Sequence, residues 1–178
     1  MLRRVTSEHA DGSAEPQASR RPGGSRPALT WSGEPGRLEE LTHGMLLDRA
    51  ERAATVLSRL GVGAGDRVAV HLPLVPESVI VTLACGQLDA IRTTLPVQLT
   101  APQLAERIPE SEARVLVTAD AAFWEGSVRP VKPVLDRALN HAACREVTAP
   151  VLVISRCARP VGWTPGRDHW WHEELEQV

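Results

Sequence analysis

From Ala28 onward the chain settles into short apolar runs separated by amphipathic stretches of about ten to twenty residues, a rhythm that predicts alternating strands and helices. The first helix is the clearest. Thr42 is placed to cap it, and Leu46, Ala50, Ala53, Leu57 and Leu60 recur at spacings of three and four as one apolar stripe. Gly61 supplies the left-handed stop. After a turn at 63–66, Arg67-Val68-Ala69-Val70-His71-Leu72 is short and rich in β-branched residues, which predicts a buried parallel strand ended by Pro73.

The unit then repeats. Pro76 and Glu77 open a helix that runs towards Leu88, since a proline in the first turn loses only an amide that has no partner there. Ile91 to Leu95 follows as a strand, Thr100 caps a helix through Leu104 and Ile108, and 114–118 is another strand. A helix from about Pro130 to His141 and a strand at 151–155 complete the series. The fold class expected is α/β, built of alternating β-α units with an incomplete sheet, and no internal repeat is visible.

Residues 1–27 break this pattern. They are rich in Pro, Gly, Ser and Arg and poor in large apolar side chains, so they cannot bury enough surface to offset the entropy of ordering. A disordered lead-in is expected there, followed by one unit over 28–178. The lead-in has no apolar run of the secretory kind, and no stretch approaches the roughly 20 apolar residues of a membrane span.

Composition narrows the function. The chain has 178 residues, 43% of them hydrophobic, and a net charge of -2, so no excess of positive charge exists to neutralise a nucleic-acid backbone. Cys85, Cys144 and Cys157 make an odd count without a Cys-x-x-Cys spacing, which argues against a disulfide framework and a structural zinc site and points to a reducing, cytoplasmic compartment. Lys132 is the only lysine, so lysine chemistry has a single candidate. Its place before Pro133 at a helix entrance reads as a solvated helix-end charge.

Other candidate sites are weaker. His169 and His172, with Glu173 or Cys157, could share a helix face, but a metal needs three or four convergent ligands, and surface histidines beside packed indoles are the preferred reading. No G-x-S-x-G elbow is present, and Cys85 falls on an apolar helix stripe. Glu39-Glu40 and Glu173-Glu174 read as solvated charge on helices. No glycine-rich turn follows any strand, which argues against a complete dinucleotide-binding domain.

The order of elements, with ALTWSGEPG at 28–36, RLGVGAGDRVAVHLPLVPE at 59–77, LACGQLDAI at 83–91, LAERI at 104–108, VLVTAD at 115–120 and GRDHWWHEELE at 166–176, resembles the AMP-forming acetyl-coenzyme A synthetases among the adenylate-forming enzymes. The Pro-x-x-Pro-Glu pattern at 73–77 is shared across that larger class. The adjacent Trp170 and Trp171 behind Gly166-Arg167-Asp168 point to the acetyl and short-chain acyl branch.

The resemblance implies the first part of a large amino-terminal α/β domain. Enzymes of this kind use ATP, Mg and CoA to make acetyl-AMP and pass the acetyl group to CoA. The family's Ser/Thr/Gly-rich phosphate loop has no counterpart after residue 28, and its adenylation lysine is not Lys132. Where two consecutive glycines are expected after the strand at 91–95 stand Val97 and Gln98. Where two arginines three apart are expected to meet the CoA phosphate stand Trp124 and Ser127; Arg129 is displaced beside Pro130. Asp89 also replaces a preferred glycine.

The resulting expectation is a truncated synthetase-like chain, inactive alone, with no intact catalytic or cofactor-binding residues and no cofactor of its own. The alternative is a non-catalytic module that pairs with a partner chain carrying the missing remainder, or with itself. On either reading an incomplete sheet with uncovered apolar faces predicts association.

Overall fold

The structure, a computed structural model, describes residues 26–178. The expected lead-in lies almost wholly outside the described residues. An antiparallel hairpin comes first, β1 (Pro27–Glu34) with β2 (Arg37–Thr42). Its turn carries Gly36 at φ 71°, a left-handed conformation that glycine adopts without a side-chain clash.

Helix α1 (His43–Arg59) follows, capped as expected by the Thr42 hydroxyl, which accepts from the Met45 amide at 3.2 Å. Then come β3 (Arg67–His71), α2 (Pro76–Gln87), β4 (Ile91–Thr94), α3 (Ala101–Ser111) and β5 (Ala113–Ala119). A second hairpin, β6 (Ala121–Trp124) and β7 (Ser127–Pro130), precedes α4 (Lys132–Leu139). A 3₁₀ turn at Ala142–Cys144, β8 (Val151–Ile154), β9 (Asp168–Trp170) and α5 (Trp171–Glu176) end the chain.

Strands β4-β3-β5-β8-β9 form one parallel sheet in that order. Alternate residues divide between its faces. Val68, Val70, Val115, Val117, Leu152 and Ile154 pack with α1, α2 and Trp171; Ala69, Leu116, Val151 and Val153 pack with α3 and α4. Both faces are therefore covered, which corrects the expectation of uncovered apolar faces. Exposure falls instead on separate side chains, chiefly Leu38, Leu47, Leu74 and Ile91.

Helices α1 and α2 end in the same way. Gly61 (φ 91°) bonds to the Ser58 carbonyl and Val62 to that of Leu57; Asp89 (φ 53°) bonds to Gly86 and Ala90 to Cys85. Both are Schellman closures, and the left-handed position strongly favours glycine. Asp89→Gly should therefore raise the urea midpoint by the equivalent of about 0.5–1 kcal/mol, the relief of left-handed strain less the added freedom of the unfolded chain. An unchanged or lowered midpoint would count against it.

Candidate functional site

Strand β3 is the switch point of the sheet, since the chain leaves it to build β4 on one side and then β5 on the other. In open α/β sheets ligands bind beyond the carboxyl ends of the two strands at such a point. Four helices leave this end of the sheet, and the three longer ones have proline in their first two positions: Pro76 in α2, Pro102 in α3 and Pro133 in α4, whereas the six-residue α5 has none. A helix entrance binds phosphate through free amides, and proline removes one.

Asp120, directly after β5, organises the same end. Its buried carboxylate accepts from the amides of Ala121 at 2.7 Å, Arg156 at 2.8 Å, Arg159 at 2.9 Å and Cys157 at 3.2 Å. Ala158 is left-handed at φ 50°, so 156–159 wraps the carboxylate as a backbone anion nest. The Asp120 carbonyl also accepts from Val131 and Lys132. One residue thus sets the exit of the second hairpin, the start of α4 and the loop after β8.

The hairpin brings Trp124 and Ser127 together as directly opposed partners across the turn Glu125-Gly126, both of whose residues have positive φ. The Ser127 hydroxyl donates to the Trp124 carbonyl at 3.3 Å. Arg129 opposes Ala122 on the same face of the ribbon, two pairs further on, about 7 Å along the strand. Val97 and Gln98 lie in the turn after β4, which is separated from β5 by β3. The structure therefore joins Trp124 to Ser127 and leaves Val97 and Gln98 at another strand end.

Lys132 is corrected outright. Its side chain is fully buried, and its Nζ donates to both Asp136 oxygens at 2.9 and 2.8 Å, to the Gly162 carbonyl at 2.8 Å, and pairs with Asp168 at 2.9 Å. Arg167 closes the cluster on Asp136 and Asp168, each at 2.7 Å. Burial raises the Asp168 carboxyl, but bonds from Arg167, the Thr164 amide and Lys132 outweigh it and hold the group below the usual carboxylate range. Two cations and two anions thus neutralise one another between α4 and the segment before β9.

Two other expectations change. Glu39 lies on a strand, not a helix, and pairs with Arg37 at 2.9 Å and Arg156 at 3.1 Å. His169 lies on β9 and His172 on α5, so they do not share a helix face; His169 Nδ1 meets Glu174 at 3.0 Å. Trp171 is buried and Trp170 stacks on Trp163 at 4.8 Å. Among the described residues no group of three or more His, Cys, Asp or Glu side chains could hold a metal.

Cys85 is buried as expected, and burial pushes its thiol up, away from the reactive thiolate. His71 and Arg156 were not legible as special from the sequence. His71, 1% exposed at the end of β3, meets Thr118 Oγ1 at 3.3 Å through Nδ1, while its Nε2 has no partner among the described residues. A groove of about 510 Å³ near Gly61, Pro109 and Pro150 lies at the opposite, amino end of the sheet, away from these groups.

The whole of this architecture falls within one match to known proteins, a family model described as AMP-binding enzyme that covers residues 14–177. The chain belongs to that family. The match begins inside the stretch read as a lead-in. Among its relatives, the acetyl-coenzyme A synthetase of Streptomyces avermitilis is 39% identical over 150 residues, 84% of this chain and 22% of the relative.

That of Mycobacterium bovis is 42% identical over 151 residues, 84% of this chain and 23% of the relative. For Mycolicibacterium smegmatis the figures are 37% over 156 residues, 87% and 16%. The chain thus spans under a quarter of the length of these curated relatives. No described helix is long and apolar enough to cross a membrane.

Proposed function

We propose that this chain supplies the amino-terminal strands and helices of an acetyl-coenzyme A synthetase-like fold and activates no acetate by itself. The observation that carries this reading is the set of longer helix entrances at the carboxyl end of the sheet, where Pro76, Pro102 and Pro133 each remove one of the amides that could cradle phosphate. The hairpin supports it. Trp124 and Ser127 offer an anion one hydroxyl and no guanidinium, whereas paired guanidiniums are the strong contact for phosphate.

On this reading the chain alone holds none of the ATP, Mg and CoA that the resemblance implies. The purified protein should give no acetate-dependent ATP–pyrophosphate exchange above the protein-free background. Exchange that tracks the protein through purification would overturn the reading.

A second reading, a non-catalytic module that pairs with a chain supplying the remainder, is favoured by Leu74, Val79 and Ile91. These are 91%, 38% and 49% exposed around α2 and the outer strand β4, where an unpaired strand edge can accept another chain. Co-elution with the remaining part of a relative, and exchange by the mixture, distinguishes it from a chain that does nothing in either form.

A further inference from the structure

The first hairpin reaches the switch point through a single charged centre. The Trp31 indole donates to the Leu74 carbonyl at 2.6 Å, in the loop that leaves β3. Over that indole, 4.6 Å from its centroid, lies the buried guanidinium of Arg156 from the loop after β8. It pairs with Glu34 and Glu39 of the hairpin, each at 3.1 Å, and with Glu77 in the first turn of α2 at 2.9 Å. Arg37 reinforces the contact by donating to the Arg156 carbonyl at 3.4 Å while pairing with Glu34 and Glu39.

This arrangement covers the place where a doubly wound sheet normally receives an anionic ligand, the helix entrance beyond the switch-point strand. A carboxylate, Glu77, already stands there. The hairpin's apolar hold is thin by comparison: Leu41 is buried, Leu29 and Trp31 pack partly against the core, and most other residues of β1 and β2 are exposed. Two strands alone are marginal in water, so the charged centre decides whether the hairpin stays down.

We propose that the hairpin β1–β2 is a strap that closes the switch-point crevice, latched by Arg156, and that it opens as a unit while the five-stranded sheet stays folded. Segments with few buried apolar contacts open at lower free energy than the core they cover.

Hydrogen exchange read by mass spectrometry on the full chain tests this. In the wild type, amides of 27–42 should exchange faster than those of β3 and β5. The Glu34→Gln/Glu39→Gln variant, which keeps the Arg156–Glu77 pair, should accelerate the hairpin amides about tenfold and leave β3 and β5 unchanged. Arg156→Met should do the same, and where it fails to fold the carboxylate variant carries the test. Unaltered hairpin exchange in the carboxylate variant, or equal acceleration in hairpin and sheet, would overturn the proposal.

Discussion

Lys132→Met should cost about 3–5 kcal/mol of folding stability, a large part of the roughly 5–15 kcal/mol that a domain possesses. Methionine fills much the same volume, so the loss is electrostatic. Among the described residues, Asp168, whose side chain is fully buried, and Asp136 would keep only Arg167 as a cationic partner, and the Gly162 carbonyl would lose its Lys132 donor. Urea denaturation of the variant reads the effect as a lowered midpoint. A change below about 1 kcal/mol is what a solvated surface charge would give, and it would return Lys132 to that role.

Acid should weaken the fold through His71. Burial pushes its pKa from 6.5 down to about 4, because a charged imidazole loses its hydration inside the sheet. The unfolded chain takes up this proton near the ordinary value while the folded chain refuses it. Its contribution to stability is therefore complete above about pH 6.5, declines as the pH falls through the interval to about 4, and is fully lost below that. The total corresponds to about 3 kcal/mol. His71→Phe keeps a ring in the site and removes the proton. The difference between wild-type and variant unfolding free energies should slope only within that interval, and a flat difference across it would show that His71 is hydrated in the folded protein.

These two residues mark where the sequence stopped being readable. The local signals carried far: Thr42 capping α1, Gly61 ending it, and the β-branched run before Pro73 each reflect contacts within a few residues, and the structure has them. Parallel pairing also followed from the alternation of strand and helix. Lys132 misled because half of its environment is distant. The Asp136 spacing of four was visible, but Asp168 and Gly162 come from a segment folded back from beyond β8.

The two hairpins were missed for a related reason. The Pro35-Gly36 and Glu125-Gly126 turns are short, β1 and β7 are mostly exposed, and β6 is only four residues long, so neither hairpin carries a sustained apolar alternation over both of its strands. Asp120 had a faint signal, a carboxylate directly after five buried strand residues. Its amide partners at 156–159 could not be inferred, since backbone groups carry no sequence label. Trp124 and Ser127 were singled out by resemblance alone, and only the hairpin register reveals that a spacing of three puts them face to face.

The Arg156 centre has a consequence for how the protein is made. Glu34 and Arg156 are 122 residues apart. During synthesis from the amino end, Trp31 and its neighbours leave the ribosome long before the guanidinium that will hold them exists. The hairpin emerges well before the side chain that secures it, and until β8 and its following loop have been translated, that stretch is open to proteases and chaperones.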